Sequence, residues 1–279
     1  MHGAYPKISI ITPSYNQGQF LEQTIQSVLD QNYPSLEYVV IDGGSTDRTI
    51  EILSKYENYL YWISERDRGQ SHALNKGLRK TSGEIIGFLN ADDLYEPGAL
   101  WAVGEYFMCH SDSAWLTGKC RIIDQNGRDV RMLISLYKYA WLCLGISAAL
   151  FLLNYLSQPA TFWTREIVER VGSFDETLCY TLDYDYWLRL HQTYEISFLD
   201  RTLARFRIHP ASKSGSTTYA QFEEQFKVVQ RYTDSSLMLH LHALHSQIAT
   251  AVYKCMHNAW QVPRISSFLG YLNGTQKPP

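Results

Sequence analysis

Two aspartates stand side by side in Asn90-Ala91-Asp92-Asp93, directly after the apolar run Ile85–Leu89. Adjacent carboxylates at the end of a strand repel each other, so something must reward keeping both. A hard divalent cation, Mn2+ or Mg2+, does so, and a diphosphate completes its oxygen shell. The plainer alternative is an N-cap for a helix beginning near Pro97, but a cap needs one Asp, and Asp93 is rather far from Pro97. Asp42 also closes an apolar run and is followed by Gly43-Gly44. It reads either as a turn or cap carboxylate or as an acceptor for a base or ribose, the glycines letting a ligand approach the backbone.

The elements that position these acids follow from periodicity. Ile8–Ile11 reads as a buried strand ended by Pro13, and a helix follows with Leu21, Ile25, Val28 and Leu29 on one face. Tyr38–Ile41 is a second strand, and Ser45 or Thr46 can cap a helix carrying Ile50, Leu53 and Tyr56. Tyr61–Ile63, a helical face of Ala73, Leu74, Gly77 and Leu78, and strand Ile85–Leu89 come next. Pro97 suits the first position of a helix whose face is Leu100, Val103 and Phe107. Such alternation predicts an α/β fold, a mostly parallel sheet flanked by helices. Ligands of these sheets bind at the carboxyl ends of the strands, which here are 13–18, 42–47 and 90–93.

Beyond residue 115 the alternation weakens. Thr117–Ile123, Gln158–Trp163 and Ile196–Leu199 read as strands, Thr164–Val171 and Tyr184–His191 as helices, and Ser212–Thr218 as a polar loop. From Tyr219 the pattern is helical, with Phe222, Phe226 and Val229 in phase, then a long segment from Leu237 to Trp260. The expected organisation is a first half over 1–115, a second half of the same domain over 116–218, and a C-terminal helical segment over 219–279.

A net charge of −3 without a basic stripe gives no reason to expect nucleic-acid binding. The five cysteines, 109, 120, 143, 179 and 255, form no CxxC pair, and no charged-then-apolar leader opens the chain. Both observations fit a reducing, cytoplasmic setting. Tyr139–Leu153 is almost wholly apolar yet shorter than the ~20 residues a spanning helix needs. It is expected either as a buried helix or as a segment in peripheral contact with the inner face of a membrane.

Together these segments resemble the family 2 glycosyltransferases of the GT-A fold, which is Rossmann-like. The matching strings are IITPSYNQGQFLEQTIQSVLDQNYP, EYVVIDGGSTDRTIEIL, DRGQSHALNKGLRKTSGEIIGFLNADD, QPATFWTREIVERVGSFDE, TLDYDYWLRL and RFRIHPASKS, spanning roughly residues 7 to 215. The resemblance implies that 1–115 is the donor-binding half and 116–218 the acceptor-binding and catalytic half, that Pro13 and Tyr15 hold the nucleotide base, and that Asp42 is the carboxylate ending the second strand. Gly43 stands where the commonest pattern has a second Asp. Arg68 and Asn75 fall near the nucleotide; Asp93 takes the metal and Asp92 the ribose or sugar. Asp183 matches the general base of inverting members, with Leu182 where an acid usually precedes it and Asp185 as rival. Two residues apart on a helix, the two acids face different ways, with Trp187 and Leu190 on its core side. His209 is placed to help bind metal or diphosphate, and Lys213 to neutralise leaving phosphates.

The implied reaction is a single in-line displacement: an acid takes the proton of an acceptor hydroxyl as its oxygen attacks the anomeric carbon. The donor is a nucleotide-diphosphate sugar, the acceptor a saccharide or lipid-linked glycan, and the setting polysaccharide or glycoconjugate synthesis. A nicotinamide oxidoreductase would want GxGxxG after the first strand, and none is present. A sugar nucleotidyltransferase would want a basic Gly-rich loop there, whereas 13–18 holds no Arg or Lys. A non-catalytic sugar-binding protein is the remaining alternative.

Overall fold

Apolar runs bounded by Pro, Gly and Asp become strands here, and amphipathic runs become the helices that cover them. The computed structural model describes residues 5–212 and 218–261. In chain order the elements are β1 (Ile8–Ser14), α1 (Leu21–Leu29), β2 (Leu36–Asp42), α2 (Thr49–Lys55), β3 (Tyr61–Ser64), α3 (Gln70–Lys80), β4 (Ile85–Phe88), β5 (Leu94–Tyr95), α4 (Ala99–Cys109) and β6 (Trp115–Ile123). There follow α5 (Met132–Leu144), β7 (Thr161–Thr164), α6 (Arg165–Val171), α7 (Leu182–His191), β8 (Ile196–Arg207), α8 (Thr218–Val229) and α9 (Ser236–Gln261).

The eight strands lie in the order β3-β2-β1-β4-β7-β6-β8-β5. β3, β2, β1 and β4 are parallel, with Ser14 opposite Asp42 and Asp42 opposite Ser64. The pairs β4–β7, β6–β7 and β5–β8 are antiparallel. Parallel order thus belongs to the half in which helices alternate with strands.

One core joins Ile8, Ile10 and Val40 to Leu21, Ile25 and Val28 of α1, Ile52 and Leu53 of α2, and Leu100 and Val103 of α4. Each such side chain contributes about 1.5–3 kcal/mol by burial. A second, aromatic cluster supports α7. Phe174 stacks on Tyr186 at 4.5 Å, and Trp163 meets Phe88, Phe174 and Trp187 at 6.1, 6.2 and 5.6 Å. Trp115 stacks on Trp187 at 5.8 Å. Buried rings on one side leave α7 little freedom to turn, and that fixes which way its two acids face.

Several expected boundaries move. The fourth helix begins at Ala99, because Gly98 adopts φ +74° ahead of it and leaves Pro97 outside. Gln158–Ala160 forms a 3-10 turn before β7 instead of opening the strand. β8 runs on to Arg207, well past Leu199. The apolar run Tyr139–Leu153 is not one segment: α5 ends at Gly145, which takes φ +62°, and a 3-10 turn over Ser147–Phe151 follows. Leu142, Ala149, Leu150 and Leu153 are buried, whereas Leu144 and Ile146 are exposed. The run therefore supplies both core and surface on each side of the break. No helix among the described residues is long and apolar enough to cross a membrane.

By contacts the chain divides into two compact units. One comprises Met1–Cys120 and Leu156–Phe206, the other Arg121–Tyr155 and Arg207–Pro279.

Candidate active site

The loops leaving the parallel strands are stitched to one another by their own side chains. Asn16, at φ +52°, donates its backbone N–H to Ser45 Oγ (2.7 Å), and its side-chain oxygen accepts from the Thr46 N–H (2.8 Å). Gly18 donates its N–H to Asp47 Oδ2 (2.8 Å), and Arg48 Nε donates to the Gly18 carbonyl (2.7 Å). Pro13 is buried within β1, whereas Tyr15 is 61% exposed, a flat ring at the mouth of these loops.

Asp42 is fully buried. Its Oδ2 accepts from the N–H groups of Gly44 (3.0 Å) and Ser45 (2.8 Å) and from Ser64 Oγ (2.6 Å), and its Oδ1 accepts from Ser45 Oγ (2.5 Å). Four donors make this carboxylate the staple of the 42–45 turn. Gly43 packs against a second acid: a Cβ at Gly43 would lie 2.8 Å from Asp67 Oδ2, while Asp67 Oδ1 accepts from the Gly69 N–H at 2.8 Å. The space that a side chain at position 43 would fill is thus occupied by the carboxylate of Asp67, brought from the loop after β3.

In the loop after β4 the two adjacent acids differ. Asp93 is fully buried, its Oδ2 accepting from Asn90 Nδ2 at 3.1 Å; Asp92 is half-buried. Asn90 is the hub of this turn. Its Nδ2 also donates to Gln158 Oε1 (3.0 Å), its Oδ1 accepts from Gln70 Nε2 (2.7 Å), and Gln158 Nε2 donates to the Phe88 carbonyl (2.5 Å). The amide lets one residue donate to a carboxylate while accepting from a neighbour; a carboxylate at position 90 could accept from Gln70 but not donate to Asp93.

Arg68 and Asn75 converge on a residue that no local pattern singled out. Asn75 is buried; its Nδ2 donates to Glu176 Oε1 (3.0 Å) and to the Phe174 carbonyl (3.0 Å), and its Oδ1 accepts from the Phe174 N–H (2.9 Å). Arg68 Nη2 reaches Glu176 Oε2 at 2.5 Å. Hydrogen bonds from Asn75 and then Arg68 hold the Glu176 carboxyl below its ordinary pKa. The loop after β3 and α3 are thereby tied to the segment that leads into α7.

At the start of α7 the two acids also part. Asp185 is buried and accepts from Arg189 Nε at 3.0 Å, an i,i+4 pair. Asp183 is half-buried, and its Oδ1 accepts from the Tyr184 N–H at 2.8 Å. Trp187 and Leu190 are buried, as their spacing implied. Acids in a first helical turn are favoured by the helix dipole.

Residues 9–139 match the family described as Glycosyl transferase family 2. An uncharacterized glycosyltransferase of Rickettsia typhi is 31% identical over 226 residues, 78% of this chain and 69% of that protein. The chain is a family 2 glycosyltransferase. Its GT-A fold is shared with residues 1–349 of TarS from S. aureus in complex with UDP-GlcNAc, at a TM-score of 0.64 and 21% identity, over 87% of this chain and 70% of that one. It is also shared with the mannosyltransferase PcManGT of Pyrobaculum calidifontis in complex with GDP-Man and Mn2+, at a TM-score of 0.66 and 18% identity, over 95% and 83%.

In this glycosyltransferase the remaining site candidate, His209, belongs to the second unit. It is buried, its N–H donates to Ser212 Oγ (3.3 Å), and Ser212 Oγ donates to its carbonyl (2.8 Å). Lys213 lies outside the described residues. Sequence reasoning missed Asn16, Asp67, Gln70, Gln158 and Glu176. Only Asn16 carried a local signal, since Asn is among the few residues that tolerate positive φ in a turn.

Proposed function

We propose that the chain transfers a sugar, with inversion, from a nucleoside-diphosphate sugar to a hydroxyl of a saccharide or lipid-linked acceptor in polysaccharide or glycoconjugate synthesis. The observation that carries this reading is the sorting of the acids: Asp42, Asp93 and Asp185 are buried in internal bonds, while Asp92 and Asp183 keep exposed surface. A group that must meet a substrate has to keep such surface. The solved relatives bound to UDP-GlcNAc and to GDP-Man with Mn2+ support a donor of this class.

Asp183 is the proposed base. It takes the acceptor's proton while the acceptor oxygen forms its bond to the anomeric carbon and the bond from that carbon to the diphosphate oxygen breaks. Tyr15 offers a ring for the base. Asp67, lying where a side chain at position 43 would extend, offers the carboxylate of the donor pocket that Asp42, held in its turn, does not present. Pro13 and Asp42 then shape the loop, and Arg68 and Asn75 position it through Glu176.

Among the described residues no three His, Cys, Asp or Glu side chains cluster as a cation cage. Mg2+-like ions need none, since one or two carboxylates suffice and substrate phosphates and water complete the shell. Exposure supports Asp92 as the carboxylate that holds Mn2+ or Mg2+, with Asp93 orienting the turn, the reverse of the order the resemblance implies. When bound, the cation offsets the charge building on the departing diphosphate. A metal or diphosphate role for His209 rests on the resemblance alone.

The test is a thermal-shift panel of nucleoside diphosphates and their sugars with and without Mn2+, followed by NMR of the product anomer. A donor that raises the melting point and yields product of inverted configuration is expected. Retained configuration would remove Asp183 as a single-displacement base. Donor binding with neither transfer to any acceptor nor donor hydrolysis would leave a sugar-nucleotide-binding protein.

A further inference from the structure

A helix at a protein surface normally turns its apolar stripe inward and its polar face to water. Two helices of the second unit also turn a row of apolar side chains outward. On α9, Leu237, Leu241, Leu244, Ile248 and Val252 recur every three or four residues and are all exposed, Leu237 at 69%. Its inward side carries His242, fully buried, with Nδ1 3.0 Å from the Phe151 carbonyl. On α5, Leu133 (79% exposed), Leu136, Tyr137 and Leu144 likewise face outward. The helices touch where the Tyr137 hydroxyl lies 3.2 Å from His245 Nε2 with the two rings stacked, so the stripes meet at that contact.

Charge says what such a surface fits. Over the described residues 130–155 and 235–252 the sequence holds two Lys or Arg and no Asp or Glu, in a chain whose net charge is −3. Arg131 and Lys138 flank the outward face of α5, and Trp141 packs edge-on against Tyr137. Apolar side chains, amphipathic aromatics and cations without acids are what a helix lying in an anionic lipid interface needs. A second copy of the chain fits less well. A seam through Leu237, Leu241, Leu244 and Ile248 would be flanked by Met238, His240, His245 and Gln247, which offer no opposite charges to set register, and it would leave α5 uncovered.

We propose that α5 and α9 together form a membrane-docking face that lies in the plane of an anionic bilayer without crossing it. This face is independent of the transfer reaction, and the two can fail separately. The experiment is flotation of the full chain with vesicles of phosphatidylcholine alone or mixed with phosphatidylglycerol. Parallel assays follow Leu133→Glu/Leu136→Glu and Leu244→Glu/Ile248→Glu, all at exposed positions. The parent should float with the anionic vesicles, and each double variant should lose at least about tenfold in partitioning while keeping the parent's melting point and donor binding. Hydrogen exchange on the unmodified chain supplies a readout that needs no variant: anionic vesicles should slow exchange within 132–144 and 236–252. A parent that stays with the unbound fraction, or exchange unchanged in both helices, overturns the proposal. So does light scattering that shows a dimer which the variants convert to monomer.

Discussion

The two ends of the same parallel strands treat their acids differently. At the amino end Glu37 accepts from Lys7 Nζ (2.7 Å), Ser9 Oγ (2.6 Å) and the N–H groups of Ser82 (2.6 Å) and Gly83 (3.2 Å), tying β2 to β1 and to the loop before β4. At the carboxyl end Asp42 has four donors of its own, but beside it stand Asp67 and Asp92, each with exposed surface. At the amino end Glu37 is satisfied internally, and Glu84, exposed at the head of β4, accepts from the Lys7 N–H at 3.0 Å. At the carboxyl end, satisfied acids shape loops that present others. An acid that serves stability can thus be told from one available to a ligand by its exposed surface and not by its position in a motif.

The largest effect should come from Asp183. Asp183→Asn keeps size and removes basicity, so turnover should fall by ~10²-fold or more while donor binding persists in the thermal-shift assay. Asp185→Asn should behave as a stability variant instead. Arg189 would lose its buried partner at about 3 kcal/mol, read from urea unfolding, with turnover of the folded fraction largely kept. If Asp185→Asn is the stable, dead variant and Asp183→Asn retains turnover, the assignment is reversed.

Asp92 and Asp93 sharpen the contrast between surface and staple. Asp92→Asn should shift the Mn2+ titration of turnover by roughly 10-fold or more, and excess chelator should abolish turnover in the parent. Asp93→Asn should cost about 1–3 kcal/mol of stability through the Asn90 turn and leave the Mn2+ midpoint near the parent's. Should Asp93→Asn move that midpoint and Asp92→Asn not, the cation belongs to Asp93.

How much of this was legible follows from where each signal resides. β4 is apolar throughout, β1 and β2 carry the apolar runs Ile10–Ile11 and Tyr38–Ile41, and the i,i+3/i+4 faces of α1 and α3 needed nothing beyond the sequence. β5 has two residues, too few for any period, and the later part of β8 alternates Arg and Asp with apolar residues and reads as surface. The Asp185–Arg189 pair was readable as i,i+4 spacing, and it decides which acid of α7 is committed. The partition of Asp92 and Asp93 was not, because it depends on Asn90 turning its amide inward to meet Gln158, 68 residues away. The latch from Arg68 to Glu176 spans 108 residues and leaves no local trace.

Gly43 gives a smaller and more pointed test. Gly43→Asp supplies the acid the commonest family pattern has, but its Cβ would sit 2.8 Å from Asp67 Oδ2, and the two carboxylates would repel. A loss of about 1–2 kcal/mol is expected, with weaker donor binding. Adding Asp67→Ser should recover most of both, since it removes the clash and the repulsion together. Losses that simply add in the double variant would show that Asp67 and position 43 do not share one place in the pocket.

The smallest effect concerns the amino end. Burial alone would raise the Glu37 pKa, but hydrogen bonds from Lys7, Ser9 and Ser82 outweigh it and bring the carboxyl from an ordinary 4.5 down to about 2. Between those values the unfolded chain binds a proton that the folded chain refuses, so stability rises with pH across that window. The contribution of Glu37 is therefore complete above about pH 4.5 and is lost as pH falls through about 2. Glu37→Gln keeps an acceptor oxygen for Ser9 and Ser82 but cannot ionise. Urea midpoints of parent and variant should differ most at neutral pH and converge as pH falls below 4, with turnover at neutral pH unchanged because Glu37 lies at the end of the strands away from the acids of the site. A gap in midpoint that stays constant from pH 7 to pH 3 would mean that packing, and not the carboxylate's charge, accounts for what Glu37 does.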